Sequence, residues 1–196
     1  MDRTSLASVP DPAKGGSVPP VLDSACADAP AQPTLSDAEI EAKREEFRKK
    51  VEGTNIDNRS LLSTDYFNSF NSVIMMLDML PDTPELLEDI EQWRFIGYVD
   101  HFKSSSLDFA SLAAEAYPYS PPELREAFEL KVQAIRVVME EVTSTLRRLI
   151  SAAEENVFAN IAHTAAARLR TMVEEGNAIV HGSSGAPTQA EIDKMF

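Results

Sequence analysis

The sequence predicts an all-α fold, a four- or five-helix bundle. Three observations lead there. Between Glu123 and Glu175 the chain has neither proline nor glycine, so nothing in that stretch breaks a helix. Within it Phe128, Val132, Ile135, Met139, Val142, Leu146, Leu149 and Ala153 alternate by four and three, a heptad stripe. Apolar–polar alternation of useful length, the mark of a half-buried strand, occurs nowhere. The 196 residues suit one domain with tails, and a hydrophobic content of 43% suffices for a core.

Residues 1–33 carry Pro10, Pro12, Pro19, Pro20, Pro30 and Pro33 among Ala, Ser, Gly and Asp. Such a composition cannot offset chain entropy and predicts a disordered tail. A helical domain follows over 34–181. Ser36 and Glu39 form a capping box that opens a charged helix running to about Glu52, with Gly53 as its stop. Its apolar stripe is only Ile40, Phe47 and Val51, as expected of a surface helix or a protruding arm. A second helix over about Thr64–Leu80 carries Phe67, Phe70, Val73, Ile74, Leu77 and Leu80 around a wide arc and so reads as buried. Pro81 ends it. Thr83 then reads as the cap of a third helix with Pro84 at its first position, and Leu86, Leu87, Ile90 and Trp93 as its inner face.

Residues 94–120 are aromatic-rich and less regular, with a short helix expected around Leu107–Ala116. They suit either a binding groove or a substructure that closes one end of the bundle. Two long helices follow, about 122–150 and 155–181, with a reversal between them. Unbroken, they would run about 85 Å at 1.5 Å per residue, which is rare in a globular domain. Ser151 and Glu154 give a second capping-box pattern. The inner face of the last helix is Phe158, Ile161, Ala165, Leu169, Met172, Gly176 and Ile179.

Composition excludes several functions. The net charge of -14 falls mostly on the middle of the chain. Such a body repels nucleic acid and anionic membrane, since phosphate binding needs clustered Lys and Arg. No apolar run is long enough to span a bilayer, and the first twenty residues lack the apolar core of a signal peptide, so a cytoplasmic protein is expected. Cys26, the single cysteine, permits no disulfide within one chain. His101, His163 and His181 follow no metal-ligand spacing. Neither a glycine-rich phosphate loop nor a nucleophile elbow is present. No metal and no cofactor are therefore expected. The acidic run Asp78, Asp82, Glu85, Glu88, Asp89 and Glu91 lacks the glycine and alternate ligands of a calcium loop and reads as a solvated face.

The strongest functional signal is the C-terminus. Gly182–Pro187 read as a flexible linker. Thr188 and Glu191 then form a capping-box pattern, and Ile192, Met195 and Phe196 share one helical face. Glu191 and Asp193 place negative charge where the helix dipole favours it. So short a helix cannot bury that face against itself. It docks on its own body or on a partner, in the manner of a helix laid into a groove.

This segment resembles the receiver-docking peptide of flagellar motor switch proteins and of the bacterial chemotaxis phosphatase. Thr188, Gln189, Glu191, Ile192, Asp193, Met195 and Phe196 match that pattern, and Pro187 departs from it where an aliphatic residue is usual. The resemblance implies a phosphorylated response-regulator receiver domain as partner. Glu129-Leu130-Lys131-Val132-Gln133 is similar to the catalytic stretch of the same phosphatase, where an acid contacts a receiver lysine and a glutamine orients the attacking water. Here Glu129 replaces the usual Asp, and Lys131 and Val132 replace a Thr and a Gly. Ala162-His163-Thr164 resembles a histidine phosphotransfer box, with Ala166 and Ala167 where that family has Lys and Gly; these departures favour a plain helical histidine. Two functions follow as expectations: an adaptor that recruits a receiver, and a receiver phosphatase using Glu129 and Gln133. A third is a scaffold that self-associates into a homo-oligomer through helix 122–150.

Overall fold

The computed structural model describes residues 36–152 and 155–182. The expectations for 1–33, for the rest of the linker and for helix 188–196 lie outside the described residues. Among those described are seven α-helices, with no strand beyond an isolated bridge between Ile56 and Ser63. The chain is all-α, in the form of a helical bundle.

Helix α1 (Asp37–Lys50) begins at the expected capping box: Ser36 N donates to Glu39 Oε2 at 2.8 Å, and Glu39 N to Ser36 Oγ at 3.4 Å. Ion pairs between side chains three, four and seven residues apart lace its outer face, among them Lys43–Glu46 at 2.8 Å and Lys50–Glu46 at 2.6 Å. The hydrogen bonds from these lysines pull the Glu46 carboxyl down to about 2. The helix is no free arm. Phe47 and Val51 are buried, the Phe47 ring stacks on Tyr119 at 5.1 Å, and Arg44 Nε donates to Tyr119 O at 2.9 Å. Gly53, at φ +81, ends it in the left-handed conformation that glycine adopts without steric cost.

Asp57 organises the loop that follows. Its Oδ1 accepts from the amides of Arg59 (2.8 Å) and Ser60 (3.2 Å), while its backbone N–H donates to Leu62 O at 2.8 Å. Leu61, fully buried, is held there at φ +58, a left-handed conformation that is unfavourable for a leucine. A 3-10 turn, Thr64–Phe67, leads into α2 (Asn68–Met79), which buries Phe70, Val73, Ile74 and Leu77.

Helix α3 (Leu86–Gln92) differs from expectation at its start. The amides of Leu86, Leu87 and Glu88 each reach the carbonyl three residues back, at 3.1 Å. Backbone carbonyls of Thr83, Pro84 and Glu85 thus wind a 3-10-like entry, and no side chain caps the helix. The Thr83 cap is corrected accordingly.

Residues 94–120 close one end of the bundle. They form α4 (Tyr98–Lys103), which the sequence reading lacks, then α5 (Ala110–Ala116) and a 3-10 turn, Tyr117–Tyr119. Tyr98 stacks on Tyr117 at 4.7 Å and meets Phe128 edge-on at 5.5 Å, and Tyr66 lies 5.5 Å from both Tyr98 and Phe128. The hydroxyls of Tyr98 and Tyr66 have partners: Ser63 N donates to Tyr98 Oη at 2.8 Å, and Tyr66 Oη donates to Ile96 O at 2.9 Å. These rings are plug rather than groove.

Helices α6 (Pro122–Ser151) and α7 (Glu155–Val180) form an antiparallel hairpin whose register is marked by Lys131 Nζ to Glu175 Oε2 at 2.7 Å. The predicted stripe faces inward: Phe128, Val132, Ile135, Met139 and Leu146 are buried, with Val142 and Leu149 packed against them. Ser151 Oγ donates to Arg147 O at 3.0 Å; its expected partner Glu154 lies outside the described residues. Helix α2 packs along α7, and α3 against α6. The 3-10 turn before α2 packs closely on α7 at Gly176, where a Cβ would overlap the Phe67 ring.

Candidate functional site

The residues read as the partner-binding peptide, Thr188, Gln189, Glu191, Ile192, Asp193, Met195 and Phe196, lie outside the described residues. What can be placed is the point from which they depart. Helix α7 closes with His181 N donating to Asn177 O at 3.1 Å, and Gly182, the last described residue, sits at φ +86 in the left-handed region. That end lies beside the Asp57 loop, where His181 Nδ1 is 3.3 Å from Asp57 Oδ2. Together the loop and the helix end frame an open cleft of about 480 Å³, lined by Val51, Thr54, Asn55, Asp57, Thr64 and His181 among others. The sequence reading missed this cleft. An Asp-x-x-Ser turn signature marks the loop, but the histidine that completes it stands 124 residues away.

Glu129 and Gln133 lie one turn apart on α6, and both are exposed. They share a face by helix geometry. Glu129 is tied down at one oxygen, since Tyr117 Oη donates to its Oε1 at 2.7 Å. Burial, and then this hydrogen bond to the carboxylate, hold the Tyr117 phenol above its ordinary value. Arg125 Nε stands 3.9 Å from the same oxygen. The sequence contains both members of this contact, but the turn of chain between α5 and α6 that brings them together follows no periodicity. Around Gln133 the outward face of α6 shows Leu130, 66% exposed, and Val137, 43% exposed.

The three other candidates lie elsewhere in the fold. His163 is exposed and Ala166 is buried at 0% exposure, so a lysine has no room at that position of α7. His101 lies edge-on to Tyr66 at 5.3 Å, and burial pushes its imidazole below the ordinary range. The acidic run is more than a solvated face. Asp78 pairs with Arg170 of α7 at 2.6 Å, and Glu91 receives Arg147 Nε of α6 at 2.7 Å, which draws the Glu91 carboxyl down. Two of these acids therefore tie α2 and α3 to the hairpin. The apolar stripe of α6 is occupied by the chain's own core.

Among the described residues no group of three or more His, Cys, Asp or Glu is arranged to hold a metal ion, and no helix is long and apolar enough to cross a membrane. Comparison with protein-family models, with curated proteins and with solved structures finds no match. The functional reading therefore stands on the residues themselves.

Proposed function

We propose that the chain is a helical adaptor of bacterial chemotaxis-like signalling, which recruits a response-regulator receiver domain through residues 188–196. The observation that carries this reading is the pattern Thr188-Gln189-x-Glu191-Ile192-Asp193-x-Met195-Phe196. It combines a cap, first-turn acids and one apolar face in a segment too short to be stable alone. The closed aromatic end and the inward-facing α6 stripe support it by elimination, because the strongest apolar stripe of the body is already occupied. A receiver partner implies the cytoplasm as compartment.

Burying Ile192, Met195 and Phe196 offers roughly 1.5–3 kcal/mol each. Ordering the tether and helix opposes this by several kcal/mol. With about 1 kcal/mol from each charge-assisted contact, the balance suits a dissociation constant of about a micromolar. The test is titration of a peptide of residues 182–196 into a chemotaxis-type receiver, with and without an acyl-phosphate mimic. Binding should be micromolar and tighter to the phosphate-like state. In the full chain, Phe196→Ala or Ile192→Ala should abolish it without lowering the melting temperature. A peptide that binds the receiver in neither state sinks the proposal, and a melting temperature that falls by several degrees assigns the tail to the core.

A second reading, a receiver phosphatase, is favoured by one observation: Tyr117 fixes one oxygen of an exposed Glu129 one helical turn from an exposed Gln133. Orienting water in line is the positioning that phosphoryl transfer requires. The same receiver separates the two readings. A phosphatase shortens its phosphate lifetime, and Gln133→Ala slows that at least tenfold; an adaptor leaves the lifetime unchanged.

A further inference from the structure

Helix α1 is attached to the body differently from every other long helix. Its first seven residues are exposed except Ile40, which is half-buried. Its hold on the rest of the chain centres on Phe47 against Tyr119, on Val51, and on the Arg44 Nε bond to Tyr119 O. Within itself, by contrast, the helix is well provided. The Ser36–Glu39 capping box closes its start, acids stand in the first turn and Arg48, Lys49 and Lys50 in the last. Five ion pairs run along it. A helix of this length is marginal alone in water, and these are the local features that raise its helicity.

Beyond the helix a short linker leads into a loop that is fixed to the body. Gly53 sits at φ +81 with no atom within 4 Å of where a Cβ would stand. From Ile56 onward the backbone is fixed by the Ile56–Ser63 bridge, by the Asp57 side chain and by the buried Leu61 and Leu62. Between the two, Thr54 N and Oγ1 donate to Val51 O at 3.0 and 2.7 Å and Asn55 Nδ2 donates to Asp65 Oδ2 at 3.1 Å, so a swing of α1 turns on Glu52 and Gly53 and loosens these few bonds. Residues 52–55 form one wall of the cleft whose other side carries His181.

We propose that α1 is a strap that undocks as a helical unit about Glu52 and Gly53, opening the cleft beside His181 and uncovering Tyr119 while the body stays folded. The step is conformational only, and it does not depend on the adaptor reading.

The test uses the full chain with Cys26→Ser and spin labels at Ala42→Cys and Thr171→Cys, both exposed positions on α1 and α7. Pulsed dipolar spectroscopy should show a short distance in the parent. Phe47→Ala, and separately Arg44→Ala, should shift a population at least tenfold larger than in the parent to a longer distance. Amide exchange in α2, α6 and α7 should stay within twofold of the parent, and amides of α1 should remain slower than those of an unfolded chain. A single unchanged distance in both variants overturns the proposal. So does exchange accelerated throughout α6 and α7, which would make α1 part of the cooperative core, and so does α1 exchange at unfolded-chain rates.

Discussion

The α6–α7 hairpin and the aromatic end are held together by different means. In the hairpin, aliphatic side chains repeat every three or four residues along one strip, so each contact has a neighbour of the same kind one turn away. In the aromatic end, rings from four separated pieces of chain, Tyr66, Tyr98, Tyr117 and Phe128, meet in one cluster. Losing one aliphatic side chain weakens a strip that continues on either side. Losing one ring removes edge and face partners from several others at once. The first kind of packing tolerates change, whereas the second concentrates stability in a few side chains.

Phe128 is where the two kinds of packing meet. It begins the α6 stripe and also touches the rings of Tyr66, Phe67 and Tyr98. Phe128→Ala should be the most damaging of the substitutions considered, costing about 3–5 kcal/mol. Urea denaturation followed by far-UV and near-UV circular dichroism checks this. Coincident transitions would show that the two regions unfold together; a near-UV loss at lower urea would break the comparison by making the aromatic end a separate unit.

How much of this was legible beforehand follows the same division. The hairpin and α2 were readable because their apolar spacing is periodic and because Pro81 and the absence of Pro and Gly after Glu123 mark their limits. Helix α4 was not, since its six residues are too few for a period and its Tyr98 and Phe102 pack on rings outside the helix, Tyr66 and Phe109. Thr83 misled because its side chain suits a cap, while its backbone carbonyl does the bonding. In the candidate site, the Glu129–Gln133 pair was legible from spacing. The Tyr117 hydroxyl on Glu129 and the His181 contact with Asp57 depend on chain paths that no local pattern encodes.

Gly176→Ala probes how tightly the hairpin accepts the 3-10 turn that leads into α2. Alanine favours the helix by up to about 1 kcal/mol over glycine. The new methyl meets Phe67, itself 1% exposed and backed by Phe70 and Phe128, and such overpacking costs about 1–3 kcal/mol. The net expectation is a loss of up to roughly 2 kcal/mol by chemical denaturation. A variant more stable than the parent would show that the Phe67 ring gives way freely.

The smallest effect concerns the aromatic end and pH. Burial lowers the His101 imidazole, partly opposed by Asp65. A group whose folded value is depressed stabilises the fold above its ordinary value, about 6.5, and that contribution is lost as pH falls through the folded value. The melting temperature of the parent should therefore drop more between pH 7 and pH 5 than that of His101→Gln. Equal drops would remove His101 from the acid response of this end.

Leu61 sets a limit on which residues the chain can use there. Its left-handed backbone favours glycine by about 1–2 kcal/mol, yet its side chain is 0% exposed. Removing a buried leucine side chain costs about 2–5 kcal/mol. Glycine would relax the backbone and empty the core, asparagine would suit the dihedral and bury an amide, and valine or isoleucine would fill the space while worsening the strain. The position is one at which the locally preferred residue and the globally preferred residue differ, and the globally preferred one occupies it. Homologous sequences that keep this loop should therefore vary little at residue 61, and a glycine there should be accompanied by a larger side chain elsewhere that fills the vacated volume.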